Sequence, residues 1–261
     1  MTAAGIEQAA LQSLHGAADA GLRKRLGVEW RAIGAGAASI AAGLPASAIV
    51  VNRALGLTDA GAAEAMAAYR EAGVARFFLN GDHPGLTGLL PARPWAKFLR
   101  GREAPVPDLP APLPLRPLGP DDGPAFGVLV AAAFDLGEVA VPWLARLPAM
   151  SGWRLFGAFD GAVLAGVGGL FVRGRTGWTD WGATRPDYRG RGVQLSLLAH
   201  RVRAALSLGL ARIETCTGCA VPGEPQHSYA NILRCGFAET GIRPNWAPPR
   251  AAPLANRAAV A

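Results

Sequence analysis

Between Arg189 and Gly192 the chain alternates two arginines with two glycines, and an apolar-periodic run follows at once. Gly190 and Gly192 have no Cβ, so they admit positive φ and let a ligand approach the main chain closely. Leu195, Leu197, Leu198, Val202, Ala205 and Leu206 recur at helical spacing, which predicts a helix from Val193. The first turn of such a helix has unpaired N–H groups and the positive end of its dipole. A pyrophosphate would accept those hydrogen bonds, while Arg189 and Arg191 neutralise its charge and Gln194 and Ser196 offer side-chain donors. The segment is not a dinucleotide fingerprint, because it has no third glycine and no acid follows at the required distance.

The 261-residue chain is 51% hydrophobic and 17% charged, enough apolar material for a substantial core. Three cysteines do not make a disulfide framework. Cys216 and Cys219 form a C-x-x-C that, with His227 and Cys235, could be read as a zinc set, but the spacing is irregular and we expect no metal. The first 27 residues lack a basic-then-apolar leader, and no run approaches the roughly 20 apolar residues of a membrane helix. A soluble, cytoplasmic protein without a membrane partner is expected. The net charge is +7, with a pI of about 10.1, and nearly all of the basic residues are arginines; Lys24 and Lys97 are the only lysines. The arginines are scattered except at the glycine-rich segment. That argues against nucleic acid and for a smaller phosphate-bearing polyanion.

These residues need elements to hold them. The proline-saturated stretch Ala104–Pro120 reads as a stiff connector, with residues 1–104 before it and a second unit over 113–250. In the second unit Leu113–Leu118 reads as an edge strand. A helix capped by Asp121 or Asp122 runs to Asp135, and another covers Val139–Leu147. Trp153–Phe159 and Val163–Val172 form a hairpin around Asp160-Gly161, followed by strand Trp178–Thr184. After the glycine–arginine segment and its helix come strand Arg212–Thr217, helix Gln226–Cys235 and strand Phe237–Arg243. Such alternation implies parallel pairing with crossover helices. The first unit reads as a worn copy: strand Ala48–Arg53, helix Asp59–Ala72 capped by Thr58, strand Arg76–Leu79 and closing strand Pro94–Leu99. Arg53 and Arg189, Gly56 and Gly192, Gly73 and Gly209, and Arg76 and Arg212 are all 136 positions apart, a spacing that suggests duplication.

Strand, P-D-Y-R-G-R-G-V, amphipathic helix, strand, short helix and a final I-L-R-C-G-F over Ile232–Phe237 resemble the GNAT acyltransferase superfamily. Its signature, Arg/Gln-x-x-Gly-x-Gly/Ala, is matched by Arg189, Gly190, Arg191, Gly192 and Val193. Gln194 stands at the final small position and leaves two roles open, narrowing the pocket or contacting a phosphate. The resemblance spans Leu113–Trp246 and implies a tandem member with a degenerate first half. The expected architecture is α/β (α+β), two mixed-sheet halves of which the second carries a splayed cofactor cleft. The resemblance further implies an acyl-CoA-dependent N-acyltransferase, using acetyl-CoA as cosubstrate and no metal, that acts on a small-molecule or peptide amine. The pyrophosphate would rest on Arg189–Gln194, the pantetheine beside Ala183 and Thr184, and Ser228 and Asn231 would join the coenzyme site. An amine would attack the thioester directly, a backbone N–H stabilising the oxyanion.

The reaction also needs a base and an acid. Members of the superfamily commonly place a tyrosine on the last helix; here that position is Ile232. Tyr229 shares one helical stripe with Ser228 and Ile232 and is the candidate acid. Asp180 and Glu214, on the two strands bounding the cleft, are candidate proton relays, and His227 is a further base candidate. Leu55 and Asp59 replace the phosphate chemistry in the first half, so that half is expected to hold no coenzyme; Trp30, Tyr69, Phe77 and Trp95 are its candidate core. The alternative to an enzyme is a non-catalytic acyl-CoA-binding protein of the same fold.

Overall fold

Capping and turn chemistry set the elements of the first half. The computed structural model describes residues 3–83 and 85–249; Arg250, the end of the predicted second unit, lies outside them. Helix α1 (Ala3–Gly16) leads to α2 (Ala20–Leu26). Asp19 caps α2 by accepting from Leu22 N at 2.8 Å, and Gly27 ends it in the left-handed conformation. Strands β1 (Val28–Ile33) and β2 (Gly36–Ala41) form a hairpin, followed by β3 (Arg53–Leu55), α3 (Asp59–Glu71), β4 (Phe78–Asn80) and β5 (Leu90–Arg100). Thr58 caps α3, as its sequence position predicts. The strand expected over Ala48–Arg53 forms only from Arg53 onward. The preceding residues turn instead, with Ala48 N bonded to Pro45 O and Asn52 N to Ala48 O.

The second half matches the predicted order closely: β6 (Leu115–Pro117), α4 (Gly123–Ala133), α5 (Val141–Leu144), β7 (Trp153–Asp160), β8 (Val163–Arg173), β9 (Thr176–Thr184), α6 (Val193–Ser207), β10 (Arg212–Gly218), α7 (His227–Arg234) and β11 (Ala238–Ala247). The helix expected over Val139–Leu147 shrinks to one turn flanked by 3-10 turns, because Pro142 and Pro148 interrupt its hydrogen bonding.

All eleven strands join one sheet, in the order β1-β2-β3-β4-β11-β5-β10-β9-β8-β7-β6. Strand β5 does not close the half it belongs to. It runs antiparallel to β10 and β11, while β11 reaches across to pair with β4. Each half thus receives its closing strand from the other, and the sheet has an approximate two-fold relation about the β11–β5 pair. On one face α1, α2, α4 and α5 share a continuous apolar core. Trp143 Nε1 donates to Leu14 O at 2.8 Å and ties the halves there. On the other face α3 packs over β1–β4, α6 packs over β7, β8 and β9, and α7 packs against α6 and β10.

The repeat is visible at the ends of α3 and α6. Gly73 and Gly209 both have φ +72. Gly73 N bonds Arg70 O and Val74 N bonds Tyr69 O, as Gly209 N bonds Leu206 O and Leu210 N bonds Ala205 O. These are the same two hydrogen bonds of the same helix stop, 136 positions apart. The segments before the two helices differ: only residues 56–58 separate β3 from α3, whereas 185–192 separate β9 from α6. Arg53 is therefore a buried strand residue and not the counterpart of the loop residue Arg189, which corrects the expected overlay of those two arginines.

Candidate active site

Gly190 and Gly192 adopt φ +76 and +79, and a Cβ at either would meet nothing within 4 Å. The glycines are needed for backbone conformation, and the space beside them is open. Among the described residues, the main-chain N–H groups from Gly190 to Gln194 have no acceptor. Arg189 and Arg191 are exposed on either side of Gly190, the guanidinium of Arg191 lying 5.0 Å from the Tyr188 ring centre. Unpaired amides, a helix N-terminus and two guanidiniums together fit a pyrophosphate. Ser196 does not join them, since its hydroxyl is buried and donates to Val193 O at 2.9 Å. Gln194 folds back onto β9, its Nε2 lying only 2.1 Å from where a Cβ on Gly182 would stand. Of its two open roles, the side-chain placement matches narrowing of the cleft.

The cleft comes from strands that part. β9 and β10 pair in parallel from Arg212–Thr176 to Glu214–Trp178 and then diverge. Thr215 Oγ1, donating to Thr179 O at 2.9 Å, is the last link. Just beyond it β9 bulges: Val167 faces Ala183 and Gly169 faces Asp180, so Trp181 and Gly182 together oppose Gly168 alone. Trp181 has φ +50, a backbone state that non-glycine residues adopt only where their surroundings enforce it. Arg201 on α6 enforces it. This buried guanidinium donates from Nη1 to Asp180 O at 3.1 Å and Gly169 O at 3.3 Å, and from Nε to Leu197 O at 3.2 Å. Burial lowers its pKa to about 10, which still leaves it charged at neutral pH. Gly168 has room for no side chain, because a Cβ there would stand 2.6 Å from the Arg201 guanidinium.

Two cavities open onto this break from opposite faces of the sheet. The first, about 150 Å³, lies on the α6–α7 face and is walled by Gly182, Gln194, Ser228, Asn231 and Ile232. The second, about 190 Å³, lies on the face covered by α1 and α4 and is walled by Val50, Arg53, Trp95 and Trp178. Phe134, Asp180, Trp181, Cys216 and Thr217 line both. The parted strands thus make a passage through the sheet. Ala183 and Thr184 continue β9 from the bulge toward the glycine–arginine segment, so the predicted coenzyme residues form one track from cradle to passage.

Asp180 sits at the junction. Its Oδ2 accepts from Trp178 Nε1 at 2.9 Å and its Oδ1 from Trp181 N at 2.8 Å. Burial nevertheless raises its pKa above the ordinary 3.8. Glu214 does not reach the passage: it lies where the strands still pair, is buried, and bridges Arg212 at 3.1 Å. Tyr229 is also displaced from its expected place. Its ring meets Phe98 edge-on at 5.1 Å and its hydroxyl donates to the Glu239 carboxylate; that bond raises its pKa. Ser228 and Ile232 face the first cavity, but Tyr229 and His227 line a separate neighbouring hollow with Arg93. Sharing the stripe is not enough, because the Glu239 hydrogen bond and the Phe98 contact hold the Tyr229 side chain away from the first cavity. Burial pushes the Cys216 thiol to about 11, so it stays protonated. Among the described residues no three His, Cys, Asp or Glu side chains gather as a metal would need.

An unexpected ion cluster lies below the second cavity. Glu7, fully buried on α1, bridges Arg53, Lys97 at 2.6 Å and Arg243 at 2.8 Å. The three cations around it hold its carboxyl well below the usual range. The signal was present in the sequence: Glu7 falls on the apolar stripe of Ile6, Ala10, Leu11 and Leu14. Trp95, an expected core residue, is half-buried and lies between two guanidiniums, 5.0 Å from that of Arg53 and 5.2 Å from that of Arg243.

A parted pair of strands, a bulge at the break and a glycine–arginine cradle at a helix start define the fold of the GNAT acetyltransferases. More particularly, its two halves joined in one sheet match the fold of a tandem GNAT protein, with the parted strands, bulge and cradle in the second half. No family model and no curated protein matches the sequence. Solved structures match the fold. A GCN5-related N-acetyltransferase from Kribbella flavida superposes with a TM-score of 0.61 at 14% identity, over 95% of this chain and 96% of that one. One from Sphaerobacter thermophilus gives 0.55 at 18% identity, over 72% and 64%. A tandem GNAT protein from the clavulanic acid biosynthesis pathway gives 0.50 at 16%, over 72% and 68%.

Proposed function

We propose that the protein transfers an acyl group, acetyl as the default, from acyl-CoA to an amine, with a single coenzyme site in the carboxy-terminal half. The observation that carries this reading is the passage, where a track leading from an anion cradle meets a second cavity at a half-buried carboxylate and a strained bulge. The coenzyme pyrophosphate binds the amides of Gly190–Gln194 beside Arg189 and Arg191. The pantetheine runs along Ala183 and Thr184, between Gln194 on one side and Ser228 and Asn231 on the other.

The amine enters from the second cavity and its lone pair attacks the thioester carbonyl carbon. A main-chain N–H near the bulge stabilises the oxyanion. As the intermediate collapses the carbon–sulfur bond breaks, the amine proton passes to the Asp180 carboxylate, directly or through water, and the leaving thiolate takes up a proton from solvent. A carboxylate with a raised pKa suits that task better than an ordinary one. Neither Glu214 nor Tyr229 has a role in this scheme.

One observation favours a second reading, binding without transfer: the expected tyrosine position holds Ile232, which is buried. Measuring thiol release from acetyl-CoA across a panel of primary amines separates the two. Turnover with any amine supports the transferase. Tight coenzyme binding with no thiol released above the rate of spontaneous hydrolysis supports the binder.

A further inference from the structure

The second cavity is lined by opposite charges and by aromatic side chains. Asp180 stands at the passage and Arg53 is also in the lining, with Trp95, Trp178, Trp181 and Phe134 supplying flat walls. Arg53 is only 4% exposed. It spends Nε on Val50 O at 2.9 Å and Nη1 on Glu7, while its Nη2 has no acceptor among the described residues. Around it Arg53, Lys97 and Arg243 share the Glu7 carboxylate, and the Asp180 carboxylate lies in the same cavity lining. A guanidinium N–H left without an acceptor in so buried a setting favours an incoming anion, because a low-dielectric setting strengthens the contact. At about 190 Å³ the space equals that of roughly six waters, which limits the occupant to a small molecule.

We infer that the acceptor is a small zwitterionic amine, whose anionic group pairs with Arg53 while its amine faces Asp180 at the passage. This rests on the transferase reading above and names the substrate class for it. So small a volume favours a compound in which a few bonds separate the two charges, as in an amino acid. The aromatic walls accept a flat or apolar side chain between them.

The test uses matched pairs that differ in the anion alone: L-phenylalanine against 2-phenylethylamine, L-methionine against 3-(methylthio)propylamine, and O-phosphoethanolamine against ethanolamine. Calorimetry on the CoA-loaded protein reads their binding, and thiol release from acetyl-CoA reads their acylation. At least one anionic member should bind about tenfold or more tightly than its partner, and the preference should weaken as salt is raised. The phosphate pair distinguishes a carboxylate from a phosphate as the recognised anion. Arg53→Gln should erase the preference and Arg53→Lys retain part of it. Should Arg53→Gln fail to fold, the paired comparison in the unaltered protein stands by itself. Equal affinities, a preference for the purely cationic amines, or no binding of any anionic member at millimolar concentration would overturn the inference. Coenzyme binding is measured first in the same cell, so loss of the transferase reading would show as a missing coenzyme signal, distinct from an acceptor that merely lacks the anion preference.

Discussion

The two halves end their middle helix with the same hydrogen bonds and begin it differently. Before α6, eight residues carry two open glycines and two free guanidiniums. Before α3, three residues make a tight turn, with Thr58 occupying an amide that a phosphate would need. Gly56 and Gly192 have nearly the same φ, +73 and +79, but Gly56 is crowded, its Cβ position lying 3.2 Å from Gly36 Cα and 3.3 Å from Gln8 Oε1. One glycine serves packing; the other leaves room. A repeated scaffold therefore does not imply a repeated site, and a few residues of loop decide which half binds.

Asp at the paired glycines should break the symmetry most visibly. Gly192→Asp places a carboxylate at the cradle and should weaken CoA binding by a hundredfold or more, about 2.7 kcal/mol or above, with a modest fall in melting temperature from the positive φ it must adopt. Gly56→Asp should lower the melting temperature while one coenzyme per chain still binds. Calorimetry and thermal melts report both, and two coenzymes per chain would undo the contrast altogether.

The next effect concerns chemistry. Asp180→Asn should reduce kcat by about 10²-fold with coenzyme affinity unchanged. Because burial raises the Asp180 pKa, the carboxylate form is gained only above the ordinary range. The kcat/KM profile should accordingly rise with pH through an apparent pKa above 3.8, and Asp180→Asn should lose that limb. The same shift makes the ionised carboxyl a burden on the fold: the stability held while the carboxyl stays protonated is lost as pH rises through its folded-state pKa.

A smaller effect probes the bulge, which the first half lacks. Gly168→Ala should destabilise by about 1–3 kcal/mol, since its methyl group meets the Arg201 guanidinium; a denaturant titration measures it. The smallest effect is expected of Tyr229→Phe. With its hydroxyl tied to Glu239 outside the first cavity, turnover should stay within about twofold of the unaltered protein, and a larger fall would return the tyrosine to the acid's role.

Local signals carried the second half well. Asp160-Gly161, the periodicity after Val193 and the spacing of Gly190 and Gly192 each act within a few residues, and the elements they mark stand where expected. The features missed are nonlocal. Nothing near Pro94–Leu99 says that the strand will pair with β10 and β11, since partner choice is settled across more than a hundred residues. Trp181 gives no sign of its positive φ, because Arg201, twenty positions later, imposes it. Glu7 was legible as an acid on an apolar stripe, but its three partners come from β3, β5 and β11. The wall of the acceptor cavity depends on that assembly, and so it could not be read from any one segment.

The exchange of β5 and β11 has a consequence for how the molecule is made. As the chain leaves the ribosome, β4 emerges without the neighbour it needs, and β5 has neither of its own. Strand β4 waits for β11, and β5 first for β10 and then for β11. The amino-terminal half must therefore persist with a bare strand edge until β11 is made, and the two halves reach completion together.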